Sequence, residues 1–172
     1  MAMSGFQLLD TFVNLKHLAV SWMTPAVVDM LIGAKFVLNY LDIDHIVESE
    51  GPPSGFQVAS IFSASSLEQL RELDFDVHDL TGLEGPHFEI HELENELDKI
   101  EPIIYGITNL RYLETLRLRF PLRISWCNRF ARLRNLKSPD YGIYDPDSGI
   151  SAVSIGANCS CTKNVNQLKR CT

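Results

Sequence analysis

Apolar residues recur along this chain in a six-residue pattern, L-x-x-L-x-Φ, in which Φ is any apolar residue. The clearest copy runs from Leu70 to Phe75, and charged residues alternate with its apolar positions from Leu73 onward. A period of two is typical of a strand with one buried face and one exposed face. Further copies begin at Leu15, Leu38 and Leu113, and degraded copies begin at Leu133 and Ile150. The sequence therefore predicts five or six short strands.

Helical patterns and loop signals fill the intervals between these copies. Thr24 and Pro25 form a helix start, with Thr as the N-cap and Pro at the first helical position, and we expect this helix to end near Gly33. One strand and one helix within the 23 positions from Leu15 to Leu38 make a complete β-α unit. Other helices are predicted at about 56–63, 89–100, 103–110 and 123–131, with a break at Pro102, and loops at 48–55 and 139–149.

The polarity of the predicted strands distinguishes between two kinds of α/β sheet. A parallel sheet covered by helices on both faces has nearly continuous apolar strands. Here charged residues occupy alternate strand positions, so one face of the sheet must be exposed to water. The sequence also lacks the G-x-G-x-x-G and P-loop patterns of nucleotide-binding folds. We therefore favour a curved parallel sheet with helices on its convex side only.

These motifs, from about Leu8 to Ile155, resemble the leucine-rich-repeat family, with irregular repeats like those of F-box substrate receptors or plant-type immune receptors. The resemblance implies an α/β solenoid that forms a single domain over residues 1–172 with five to six irregular repeats. The interval of 43 positions from Leu70 to Leu113 predicts a helical insertion at about 78–110. The resemblance also implies non-catalytic protein–protein recognition, as substrate recognition in a ubiquitin-ligase complex or as an immune-type sensor. In the first case a Skp-type adaptor would bind through a region that precedes Met1.

Charge is distributed unevenly along the chain. Sixteen acidic residues and two basic residues lie between positions 40 and 101, whereas eight basic residues and one acidic residue lie between 111 and 137. Side chains that alternate with the buried leucines would project onto the concave face, which should run from acidic to basic. We expect another protein to dock there with complementary charges. The predicted partner-binding residues are Asp42, Asp44, Asp74, Asp76, Arg117, Arg119 and Lys137.

Composition narrows the functional classes. The net charge of -7 over 172 residues is unfavourable for general binding of nucleic acids or anionic membranes. No apolar run reaches the roughly 18 residues that suggest a membrane span, and the first ten residues do not resemble a secretory signal. The sequence therefore predicts a cytoplasmic or nuclear protein. The four cysteines, Cys127, Cys159, Cys161 and Cys171, match no common zinc spacing and are expected to be reduced thiols.

Few residues form a pattern that would carry chemistry. His87 and His91 are four positions apart, but no H-E-x-x-H motif is present, and we expect exposed histidines rather than metal ligands. No serine, cysteine or threonine lies in a nucleophile motif. The sequence thus predicts a non-enzyme without a cofactor; the alternative is a small α/β enzyme with a pocket at the carboxyl ends of the strands. Aromatic residues expected in the core are Phe12, Trp22, Trp126 and Phe130.

Overall fold

The computed structural model describes residues 13–44, 55–76, 90–145 and 150–155, in which strands and helices alternate. The strands are β1 (His17–Val20), β2 (Tyr40–Ile43), β3 (Glu72–Phe75), β4 (Thr115–Arg123), β5 (Ser138–Asp145) and β6 (Ile150–Ile155). The helices are α1 (Pro25–Gly33), α2 (Gly55–Ile61), a short 3₁₀ helix (Ser65–Leu67), α3 (Ile90–Ile107) and α4 (Ile124–Phe130). The protein has an α/β fold.

The six strands form one sheet in chain order, and β1 to β5 are parallel. The last strand, β6, pairs antiparallel with β5. We predicted a sixth strand at Ile150 to Ile155 as a copy of the repeat, and its direction differs from that of a repeat. Only four residues separate β5 from β6, whereas a parallel crossover needs about a dozen residues or more. A hairpin is therefore the only connection that this spacing allows.

The sheet register aligns the L-x-x-L-x-Φ copies with one another. Leu18, Leu41, Leu73 and Leu116 are cross-strand neighbours, and three of these four side chains are fully buried or nearly so. Leu18 lies on β1, at the edge of the sheet that the described residues form, and is half-buried. The Φ positions form the next row, in which Val20 is half-buried and the others are buried: Val20, Ile43, Phe75 and Leu118. The period of two that the sequence shows thus defines one apolar face of the sheet.

The fifth copy of the motif begins three residues later than predicted. Leu136 occupies the position equivalent to Leu113, because Ser138 of β5 pairs with Thr115 of β4. Leu133 instead lies in a turn that precedes the motif. The same turn occurs three times: the amide of Leu70 donates to the carbonyl of Leu67, Leu113 to Leu110, and Leu136 to Leu133, at 3.0–3.2 Å. Leucine recurs every third residue here, so spacing alone could not distinguish the turn from the strand.

Most of the predicted loop at 139–149 belongs to β5, so this prediction was wrong. Tyr141 and Ile143 alternate with smaller or polar residues, as strand positions do, and the Tyr141 side chain is buried against Phe130. Pro139 is compatible with the strand because Ser138 donates its amide to the carbonyl of Glu114, just before β4, so the nitrogen of residue 139 faces the other side. On that side β6 begins to pair only at Tyr141. No ladder hydrogen bond is therefore lost at the proline.

The helices cover the apolar face of the sheet. Val28, Leu31, Ile61, Ile104 and Trp126 join the strand leucines in one hydrophobic core. The predicted N-cap is confirmed, since the amide of Val27 donates to Thr24 Oγ1 at 3.3 Å. Trp126 and Phe130 are buried as predicted, but Trp22 is 56% exposed, because it lies after the end of β1 rather than in it. Phe12 lies outside the described residues.

The helix α3 is continuous through Pro102, so the predicted break there was wrong. Proline lacks an amide hydrogen and normally disrupts a helix interior. In α3 the neighbouring side chains of Ile100, Ile103 and Ile104 are completely buried, and this tertiary packing outweighs the local cost. The stretch predicted as an insertion therefore supplies the helix between β3 and β4. No helix in the described part of the chain has the length and apolar character that crossing a bilayer requires.

Gly106 allows α2 and α3 to approach closely. A Cβ atom at this position would lie 2.9 Å from the backbone oxygen of Ala59 and 2.8 Å from the ring of Phe62. We expect Gly106→Ala to lower the free energy of unfolding by about 1–2 kcal/mol, because α2 must shift to admit the methyl group. Urea denaturation would measure the loss. Gly33→Ala is the matched control: nothing lies within 4 Å of its added methyl group, so it should be neutral or slightly stabilising.

Candidate functional site

The face of the sheet opposite the helices carries two rows of predominantly polar side chains. The register fixes these rows, because every second residue of each strand points to this side. On this side of the sheet, His17 and Ala19 of β1 are exposed. Tyr40 and Asp42 of β2 are half-buried. The first row is His17, Tyr40, Glu72, Thr115 and Ser138; the second is Ala19, Asp42, Asp74, Arg117 and Asp140. We call this surface the polar face.

Asp74 lies at the centre of the polar face between two arginines. Its carboxylate is 3.7 Å from Arg117 Nη1 and 3.4 Å from Arg119 Nε. Arg117 is its direct neighbour on β4, and Arg119 reaches it from the bulge between Leu118 and Pro121. The side chain of Asp74 is 9% exposed, whereas both arginines are about half exposed. The two arginines thus place positive charge next to a buried carboxylate. The negative charge of Asp74 raises the pKa of Arg119.

Asp42 is less well compensated. Its Oδ2 accepts a hydrogen bond from the hydroxyl of Tyr40 at 3.4 Å, while its Oδ1 is buried without a hydrogen-bond partner. Burial raises the pKa of the Asp42 carboxyl, and the negative charges of Asp74 and Asp44 raise it further. Burial and the nearby Asp42 also raise the pKa of the Tyr40 hydroxyl. The ring of Tyr40 contacts His17 edge-on, with centroids 5.9 Å apart.

Asp44 and Asp76 follow the carboxyl ends of β2 and β3. Each continues the ladder by one bond: Asp44 donates its amide to the carbonyl of Val20 at 3.0 Å, and Asp76 to that of Ile43 at 2.9 Å. Asp76 is only 8% exposed, and its charge also raises the pKa of Arg119. The sequence therefore placed Asp42, Asp44, Asp74, Asp76, Arg117 and Arg119 on one surface, and the structure brings them together there.

Lys137, the seventh predicted residue, is separate from this group. It precedes β5, and its Nζ lies 2.6 Å from Glu114, which also pairs with Arg71 at 2.9 Å. These three residues occupy equivalent positions just before their strands. Hydrogen bonding and charge from Lys137 hold the pKa of Glu114 below its usual range. Lys137 was misplaced because the fifth motif begins three residues later than its sequence suggested.

The folded chain pairs many of the charges that are segregated in the sequence. Besides the arginines at Asp74, Arg123 pairs with Asp98 at 2.7 Å and Arg129 with Glu101 at 3.2 Å. These pairs join the end of β4 and α4 to α3. Ion pairs between neighbouring elements of the described chain therefore offset part of the predicted gradient from acidic to basic.

Two participants were missing from the sequence prediction of the site. His17 and Tyr40 lie on the polar face beside Asp42, in the first row of the register. The sequence does contain a signal for these two residues. Each stands two positions before a second-row residue and therefore lies on the same side of its strand. A pattern of alternating charges does not include them, because their side chains are aromatic.

Asp42 gives the polar face a pH dependence. A carboxyl whose pKa is raised by folding penalises the native state when it is ionised, and the penalty disappears as the pH falls below its ordinary value of 3.8. We expect Asp42→Asn to raise Tm at pH 7, by about 2 °C at most for a partly exposed group. The advantage over the unmodified chain should shrink steadily on acidification. A constant advantage at all pH values in thermal unfolding would contradict this assignment.

The remaining chemical candidates form no second site within the part of the chain that the structure describes. His87, His91, Cys159, Cys161 and Cys171 lie outside the described residues. Cys127 is a free thiol, and burial raises its pKa to about 12, which makes it a weak nucleophile. The described residues contain no group of three or more histidine, cysteine, aspartate or glutamate side chains that could hold a metal ion.

The fold and the polar face together define an α/β protein with a five-stranded parallel sheet and a charged surface opposite its helices. No protein-family model, curated protein or solved structure matches this chain.

Proposed function

We propose that this protein is a leucine-rich-repeat solenoid that recognises another protein, without catalysis, through the polar face. Three features support the solenoid. The strands follow chain order, the described helices pack on the apolar side of the sheet, and the turn before the motif recurs with the same backbone hydrogen bonds. Solenoids built in this way present one extended surface, which commonly serves as a binding site.

The single observation that carries the recognition proposal is the arrangement of charge on the polar face. Asp42 and Asp74 lie on the adjacent strands β2 and β3, and Asp44 and Asp76 directly follow these strands. Two arginines lie beside Asp74. Held together on a sheet, these groups are already ordered before a partner arrives. Preorganised charges favour association because less side-chain freedom is lost on binding.

Site-specific photocrosslinking would test which side of the molecule meets a partner. A benzophenone amino acid at Glu72, which is exposed on the polar face, would be compared with one at Asp29, which is exposed on α1. We expect adducts with a discrete protein from Glu72 and none, or far fewer, from Asp29. Adducts formed equally or preferentially from Asp29 would overturn the assignment to the polar face.

The resemblance to F-box receptors adds a proposed setting, substrate recognition in a ubiquitin-ligase complex. A binding measurement between the full-length natural protein and a purified Skp-type adaptor tests this setting separately from the polar face. An immune-type sensor would not retain the adaptor. The alternative of a small α/β enzyme stays a prediction, and Asp44 and Asp76 at the carboxyl ends of β2 and β3 are where its pocket would lie.

A further inference from the structure

The polar face divides into two halves that differ in charge compensation. Over β3 and β4, Arg117 and Arg119 cover the carboxylate of Asp74. Neither β1 nor β2 contains a lysine or an arginine. Lys16, just before β1, directs its Nζ to the carbonyl of Val37 at 3.2 Å. The half over β1 and β2 therefore carries negative charge that the neighbouring strands do not balance.

A small, exposed residue lies beside Asp42 in this half of the polar face. The cross-strand neighbour of Asp42 on β1 is Ala19, an exposed residue whose side chain ends at the β carbon. The strands of a sheet are about 4.8 Å apart, so a group lying on Ala19 is within reach of the Asp42 carboxylate. Tyr40 and His17 border the same place along the strands, and their rings are arranged edge to face.

The carboxylate of Asp42 also has an unused acceptor. Its Oδ1 is buried and accepts no hydrogen bond, although Tyr40 donates to Oδ2. Asp44 and Asp74 add negative charge around it, and Arg119 exerts only a weak opposing effect. The buried Oδ1 cannot be reached from outside the sheet, so a charged donor on a partner would have to bond to Oδ2 and balance the charge of the whole carboxylate.

From this juxtaposition we infer that the half of the polar face over β1 and β2 binds a lysine or arginine side chain of a partner protein, which lies on Ala19 and pairs with Asp42 and Asp44. This inference rests on the proposed recognition function and specifies the chemistry of the partner. The aliphatic stem of the side chain would cover the Ala19 methyl group. The rings of Tyr40 and His17 can contact the same stem. The segment of the partner that covers this half is thus cationic.

A lysine hexapeptide is the probe for the first experiment. Titrated into protein labelled at alanine methyl groups, it should shift the Ala19 resonance, and the shift should weaken as salt increases. Asp42→Asn should weaken the apparent association about tenfold, as expected for loss of a charged hydrogen bond. Asp140→Asn is the matched control, because Asp140 is exposed in the same row on β5 and lies four strands from Ala19. It should leave the Ala19 titration nearly unchanged.

A second experiment supplies the cation within the chain. Ala19→Lys places an ammonium group beside Asp42, and Ala19→Gln places a neutral side chain of comparable length there. Carboxyl carbon NMR should show a lower pKa for Asp42 in the lysine variant than in the glutamine variant. The groups that already face Asp42, namely Tyr40, Asp44, Asp74 and Arg119, are the same in both proteins.

The outcomes separate this inference from the function on which it rests. A shift of Ala19 that depends on Asp42, together with a lower pKa for Asp42 in Ala19→Lys, supports the cation site. A peptide response that survives in Asp42→Asn, or an Asp42 pKa that is equal in the two Ala19 variants, overturns it. If photocrosslinking from Glu72 still captures a partner in that case, the polar face remains an interface and only the cation site fails.

Discussion

Leu73→Ala is expected to lower the free energy of unfolding by about 3–4 kcal/mol, the largest loss among the changes considered. Leu73 is 1% exposed on the central strand β3, with Leu41 and Leu116 beside it in the same buried row. Truncation removes buried apolar surface and leaves a cavity, and both sides of that cavity are strands that cannot move independently. Urea denaturation followed by circular dichroism would measure the change.

Leu18→Ala provides the comparison within the same row. Leu18 has the same position in its copy of the motif, but it lies on β1, at the edge of the described sheet, and is only half-buried. We expect the free energy of unfolding to fall by about 1 kcal/mol, because the Leu18 side chain buries less apolar surface on folding and the edge strand can relax around the smaller residue. Equal losses at Leu18 and Leu73 would contradict the assignment of β3 to the centre of the described sheet.

Removing both arginines of the polar face is expected to have the second largest effect. In the double variant Arg117→Ala with Arg119→Ala, Asp74 keeps its buried carboxylate but loses the two cations beside it. Losing one member of a fully buried ion pair typically costs 3–5 kcal/mol. Both arginines are about half exposed, so we expect a smaller loss of about 2–3 kcal/mol.

Two further variants show whether Asp74 causes that loss. Adding Asp74→Asn to the double variant should restore much of the stability, because no buried charge remains. Arg71→Ala should cost less than about 1 kcal/mol, since Arg71 is 61% exposed and its partner Glu114 keeps Lys137. If Asp74→Asn restores nothing, the arginines stabilise the sheet by packing and not by compensating charge.

The sequence predicted the strands well because one feature, the period of two, decides both burial and strand pairing. Leu41, Leu73 and Leu116 had to face one side together, and the parallel register follows from aligning them. Where the period of two is less regular, the predicted position of the motif was wrong. In the fifth copy the second leucine is replaced by Pro139, so the repeat at Leu133 looked better than the true one at Leu136. The continuity of α3 through Pro102 depends on burial, which local sequence does not reveal.

The residues of the polar face were predictable, but their pairing was not. Alternation places Asp74 and Arg117 on one side, whichever strands are neighbours. That Arg119 reaches Asp74 depends on the bulge in β4, which adds two residues between Leu118 and Pro121. The importance of Ala19 could not be predicted either. A small residue becomes informative only when the register places it beside Asp42.

The order of the strands has a mechanical consequence. Each strand of the parallel sheet is hydrogen-bonded only to those that precede and follow it in the chain. A tether that pulls on the chain ahead of β1 would therefore peel strands off one at a time, each step breaking a single ladder. In optical tweezers, the molecule should lengthen in a series of small steps. We expect β1 to detach first and the β5–β6 hairpin to unfold last.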